Sequence, residues 1–120
     1  MSKTIVISGY YGYNNFGDEL ILKAILQELE KTKPRIIVLS GNVRNTTKIH
    51  GVETINRYNI FAILKALKKA DILISGGGGL LQDKTSKRSL IYYLFIILFA
   101  KFNILNTIIV LLDFIYSHTR

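Results

Sequence analysis

Ile72-Leu73-Ile74-Ser75-Gly76-Gly77-Gly78-Gly79-Leu80-Leu81-Gln82-Asp83 is the stretch that decides how the rest of the chain is read. The apolar run Ile72 to Ser75 predicts a buried strand, and four consecutive glycines follow it. Glycine loses more backbone freedom on folding than any other residue, so such a run is seldom present for stability. It allows a sharp turn, positive φ and close approach to a ligand. In α/β sheets, ligands bind at the carboxyl ends of strands. The stretch therefore predicts a parallel sheet with a site on its edge.

The flanking segments repeat the pattern of apolar strand, turn and amphipathic helix. Thr4 to Ser8 is β-branched and apolar and predicts a first strand, followed by a loop from Gly9 to Gly17. A helix is expected from Asp18 to Lys31, with Leu22, Ile25, Leu26 and Leu29 on one stripe, and Pro34 closes that unit. Arg35 to Ser40 predicts the second strand, turned by Gly41-Asn42, and Val52 to Ile55 a short third. Asn59 is placed to cap a helix in which Ile60, Ile63, Leu64 and Leu67 face inward while Lys65, Lys68 and Lys69 face water. Asp71 to Ser75 is the next strand, Ser89 to Phe102 a long apolar helix, and Thr107 to Leu112 a last strand. Alternation of this kind predicts a doubly wound, parallel α/β sheet in one domain.

Leu90 to Tyr116 is apolar enough to be weighed as a membrane span. Its longest unbroken apolar run, Leu90 to Ala100, is about half of the ~20 residues that a spanning helix needs. Lys101, Asn103 and Asn106 then interrupt it, so a buried helix followed by a buried strand is expected. The apolar run before Gly9 is too short for a signal peptide, which places the chain in the cytoplasm.

Composition excludes several function classes. Hydrophobic residues make up 49% of the 120, with one proline, which is the balance of a globular domain. There is no cysteine, hence no disulfide framework and no thiolate metal site. His50 and His118 have no evident partners in sequence and are read as surface or loop residues, so no metal is expected. Sixteen basic residues against eight acidic give a net charge of +8, but the basic residues are dispersed. No aromatic-interleaved basic stripe is present, so no nucleic acid is expected, and attraction to anionic small molecules or an acidic membrane surface is favoured.

The first loop, Gly9-Tyr10-Tyr11-Gly12-Tyr13-Asn14-Asn15-Phe16-Gly17-Asp18-Glu19, carries the chemistry. Gly12 and Gly17 have the spacing of a phosphate-binding loop, but Asp18-Glu19 stands where lysine and a hydroxyl residue are required. Two carboxylates there repel a triphosphate. The loop offers instead backbone N–H groups, three tyrosine hydroxyls, two amides and a carboxylate pair at a helix start. Such a set suits a hydroxyl-rich sugar, with an acid able to deprotonate a hydroxyl. The plainer reading makes Asp18 a helix cap, with Glu19 favouring the helix dipole. After the glycines, Gln82, Asp83, Thr85 and Ser86 are hydrogen-bonding partners for a ligand, or else turn and cap residues. Both loops follow parallel strands and so emerge at one edge of the sheet.

These two motifs, the first with the helix that follows it and the second with Ser89-Leu90-Ile91-Tyr92-Tyr93, together resemble the polysaccharide pyruvyl transferase family over about residues 3–107. The similarity looks closest to the branch that pyruvylates the wall polymer anchoring S-layer proteins. It implies a Rossmann-like amino-terminal lobe of a two-lobed, glycosyltransferase-B-like enzyme. Such enzymes transfer the pyruvyl unit of phosphoenolpyruvate onto two hydroxyls of a hexose, forming a cyclic ketal and releasing phosphate, without a cofactor. Carried over, Asp18 is the acid/base towards the acceptor, with Glu19 supporting it. Gly9, Tyr11, Gly12, Asn15, Gly17, Gly76, Gly77, Gly78, Gly79, Gln82, Asp83 and Ser86 line the acceptor side. The acceptor is expected to be lipid-linked, at the inner face of the membrane.

The resemblance also implies an Ala-Gln-Gly-Ile-Gly-Pro-like turn after Thr107, then a second lobe with the basic residues that hold phosphoenolpyruvate. The chain instead continues Ile109-Val110-Leu111-Leu112-Asp113-Phe114-Ile115-Tyr116-Ser117-His118-Thr119-Arg120. Residues 108–120 are therefore expected to be a divergent tail left by a frameshift or early stop, and the chain to be inactive alone. Two other readings stand beside this one. The chain is the amino-terminal half of another glycosyltransferase using a nucleotide-sugar donor, or a non-enzymatic α/β module bound at a membrane through its apolar carboxyl-terminal third.

Overall fold

Strands buried on both faces need apolar residues at successive positions, and the first two strands supply them. In the computed structural model, which describes residues 3–75, 96 and 106–109, β1 is Thr4–Ser8 and β2 is Arg35–Ser40. Both bounds are those read from sequence. The remaining strands are β3 (Glu53–Asn56) and β4 (Ile72–Ser75), each shifted by one residue at one end or both from expectation, and β5 (Asn106–Ile109), which begins one residue early and whose expected end at Leu112 lies outside the described residues. All pair in parallel, in the order β3-β2-β1-β4-β5. The doubly wound fold is thus present, and its order reverses direction between β1 and β4.

Alternate residues of the strands feed two cores. On one face Ile5, Ile7, Val38 and Ile74 pack with Tyr11 and with Leu22 of α1 (Phe16–Leu29), joined by half-buried Ile25, Leu26 and Leu29. This is the expected stripe. On the other face Val6, Ile37, Leu39 and Leu73 meet Ile63, Ala66, Leu67 and Ala70, from and just after α3 (Ile60–Lys69), together with Ile96. Ile60, expected inward, is exposed, and Ala66 takes an inward place. The helix begins at Ile60 itself, so that residue stands at the open end of the first turn, beyond the reach of the sheet.

Two helical boundaries differ from the sequence expectation. α1 begins at Phe16 because Asn15, not Asp18, is its cap, and it passes at Glu30–Thr32 into a 3-10 turn. Between β2 and β3 there is a further helix, α2 (Val43–His50), where only a turn was read. Asn42 caps it, accepting from Asn45 N–H, and Gly51 at φ 65° ends it. Thr46 is its one buried residue, so no apolar stripe announces it. The expected helix Ser89–Phe102, Ile96 apart, and the tail after Ile109 lie outside the described residues. Among the described residues no helix is long and apolar enough to cross a membrane.

Candidate functional site

β1 and β4 end side by side at the point where strand order reverses. Ser8 and Ser75 are register partners there, and both hydroxyls are buried without a hydrogen-bond partner among the described residues. Leaving such groups unpaired costs about 1–3 kcal/mol each. Gly9 follows, also buried. Gly76 to Gly79, Gln82, Asp83 and Ser86 lie outside the described residues.

The first loop does not project from the sheet; it folds back over the end of β2. Gly41 N–H donates to the Tyr11 carbonyl at 2.9 Å. Gly12 has φ +88°, and a Cβ there would stand 2.3 Å from Ser40 Oγ and 2.5 Å from Asn42 N. Only glycine meets both demands. Ser40 Oγ is itself fixed, 2.6 Å from Thr46 Oγ1 and accepting from Asn42 N–H. Tyr11, expected at the ligand, is wholly buried in the core beside Ile7 and Leu22.

Asn15, not Asp18, caps α1. Asn15 Oδ1 accepts from Asp18 N–H at 3.3 Å, and the Asn15 carbonyl accepts from Glu19 N–H at 3.0 Å. Asp18 is therefore spared the cap role considered for it. Its side chain lies in the first turn, 1% exposed, where the helix dipole favours negative charge. Gly17 sits one residue before it, and a Cβ there would meet only Asn15 Oδ1, at an ordinary 3.5 Å. Packing among the described residues does not require glycine at that position.

Glu19 acts as a clamp. Oε2 accepts from Gly12 N–H at 3.1 Å, and Oε1 accepts from His50 Nε2–H at 2.9 Å. The His50 side chain is only 4% exposed, which corrects its reading as a surface or loop residue. It closes α2, so the helix missed in sequence supplies the group that holds Glu19. His118 lies outside the described residues.

A second cluster covers the same edge. Tyr10 and Tyr13 stack with ring centroids 4.3 Å apart. The Arg57 guanidinium lies 5.5–5.8 Å from the rings of Tyr10, Tyr13 and Tyr58. Tyr13 and Tyr58 share a hydroxyl–hydroxyl hydrogen bond of 3.0 Å. Burial and that bond hold the Tyr13 phenol above its usual range against the opposing pull of Arg57, so it stays protonated at neutral pH. Tyr13 also lies over Gly41, whose missing side chain leaves it room. Sequence reading missed Arg57 and Tyr58, which are distant in the chain and carry no motif. Among the described residues no group of three His, Cys, Asp or Glu side chains assembles to hold a metal.

Comparison with known proteins gives one match. The family model described as polysaccharide pyruvyl transferase matches residues 15–110, from the cap of α1 through β5. No curated protein matches the chain, and no solved structure does.

Proposed function

The chain belongs to the polysaccharide pyruvyl transferase family, and from that membership we propose that it serves transfer of the pyruvyl unit of phosphoenolpyruvate to a hexose of a cell-surface polysaccharide. Two sugar hydroxyls become the oxygens of a cyclic ketal. One adds to C2 of phosphoenolpyruvate, and C3 takes a proton to become a methyl group. The other then displaces phosphate from C2. Each hydroxyl gives up its proton, so a base beside the acceptor assists both the addition and the displacement.

Asp18 is that base on this reading. The observation that carries it is a carboxylate 1% exposed at a helix start whose cap is another residue. Glu19, held by Gly12 and His50, keeps the loop in place beside Asp18. Gly9, Asn15 and Gly17, with Gly76 to Gly79, Gln82, Asp83 and Ser86, line the acceptor side of a cleft in the amino-terminal lobe of a glycosyltransferase-B-like enzyme. The acceptor is lipid-linked and the reaction runs at the cytoplasmic face of the membrane.

The test is acceptor binding followed by backbone amide resonances. A hexosamine-containing acceptor glycan is expected to shift the amides of Gly9 to Glu19 and to leave those of Val43 to Ile49 in place. Binding that leaves Gly9 to Glu19 unmoved would overturn the assignment. These 120 residues alone are expected to bind acceptor without forming ketal. Ketal formed from phosphoenolpyruvate by the chain unaided would overturn that expectation.

A further inference from the structure

We propose that the outer face of α3 is a membrane-contact surface that takes an anionic bilayer. The helix already buries Ile63, Ala66 and Leu67 in the core, so its outward residues owe nothing to the fold. Those residues are Phe61, Lys65, Lys68 and Lys69, all exposed. At 100° per residue they fall within one arc of about 100°, with Phe61 inside the arc of lysines. Phe61 is 88% exposed, the most open of the large apolar side chains described, and Tyr58 before the helix is 68% exposed. An aromatic ring in water beside three cations is poorly placed for a free surface and well placed for the headgroup boundary.

Charge argues for the bilayer over other occupants. Ile60–Lys69 contains no acidic residue, although its first turn would gain from one. Asp71, just beyond the helix, is turned to β1, where it accepts from Thr4 N–H at 2.8 Å. Glu53 is engaged by Arg35. Among the described residues the three lysines therefore present a positive face with no acid set against it, and a second copy would set like charge against like. Anionic headgroups complement it, with lysine stems lying along the surface while Phe61 enters the boundary. Tyr58, just before the helix, is bonded to the Tyr13 hydroxyl and lies against the Arg57 guanidinium. The surface differs from the apolar carboxyl-terminal third expected from sequence. It rests on exposure and charge, not on the enzymatic reading, and its test uses neither sugar nor phosphoenolpyruvate.

The test is sedimentation of the full chain with vesicles of phosphatidylcholine containing about one third phosphatidylglycerol. Binding is expected, with weaker binding to phosphatidylcholine alone and loss as salt rises from about 0.1 to about 1 M. The K65A/K68A/K69A triple variant should weaken it on the order of 100-fold, and F61A about tenfold. A charge-matched control, K23A/K33A/K48A, should change it less than about threefold, with circular dichroism showing all variants folded. No sedimentation with the anionic vesicles would overturn the proposal. So would equal loss in the control, which would reduce the effect to net charge. A dimer in solution that F61A separates, or binding to duplex DNA in preference to vesicles through the same lysines, would assign the face to another partner and overturn it as well.

Discussion

Helices α1 and α3 leave the same edge of the sheet from the same kind of cap, Asn15 on one and Asn59 on the other, each accepting the N–H three residues on. Their first turns then part company. α1 places Asp18 and Glu19 there, one buried and one clamping the loop; α3 places Ile60 and Phe61 there, both exposed, and no acid. The helix dipole favours carboxylates at both sites, so dipole stabilisation cannot explain why only α1 has them. The difference follows from what each turn faces. α1 opens onto the reversal point of the sheet, where the proposed function uses a carboxylate, and α3 opens onto solvent beside a lysine face.

Breaking the α1 side should have the largest effect. Gly12→Ala forces a Cβ into Ser40 and Asn42 in a backbone conformation that disfavours it, and is expected to cost about 3 kcal/mol or more in urea unfolding. A cost under about 1 kcal/mol would mean that the loop does not lie on β2. Glu19→Ala strands Gly12 N–H and His50 together and should cost about 2 kcal/mol by the same measurement. An unchanged denaturation midpoint would remove the clamp. α3 has no counterpart to either change.

The caps sharpen the comparison. Asn15→Ala and Asn59→Ala should each lose about 1 kcal/mol, but only Asn15→Ala should also weaken acceptor binding in a titration. Equal effects on binding would show that the two helix starts are not functionally distinct. Gly17→Ala should be the mildest and the most telling. It fits the helix without a clash and should add up to about 1 kcal/mol of stability while lowering acceptor affinity. Raised stability with unchanged affinity would free that glycine from any part in the site.

What was legible in the sequence was what repeats locally. β1 and β2 were bounded to the residue because each is a short apolar run closed by a serine and a glycine. The α1 stripe was found because Leu22, Ile25, Leu26 and Leu29 recur at helical spacing. α2 was missed because Val43-Arg44-Asn45-Thr46-Thr47-Lys48-Ile49-His50 has only Val43 and Ile49 as apolar residues and is held by its Asn42 cap and by Thr46 on Ser40. The site was legible in part. Asp18 and Glu19 were singled out, but dividing cap from carboxylate required the Asn15-x-x-Asp18 spacing to be preferred over Asp18 as cap. His50 meets Glu19 across 31 residues and Tyr58 meets Tyr13 across 45, pairings that topology alone creates.

The seam between the first loop and the end of β2 bears on how this lobe can evolve. Gly12 gives up a side chain to Ser40 and the Asn42 amide, and Gly41 gives one up to the ring of Tyr13. Each glycine is thus tied to the neighbour it makes room for, and neither can drift on its own. Gly41 and Tyr13 form one unit whose members must be replaced in concert, whereas Gly12 is held by the Asn42 backbone and its own positive φ as well as by Ser40, and has no such exchange open to it. A larger side chain at position 41 therefore requires a smaller one at position 13, so the tyrosine cluster above the seam is reshaped from below as well as from its own surface.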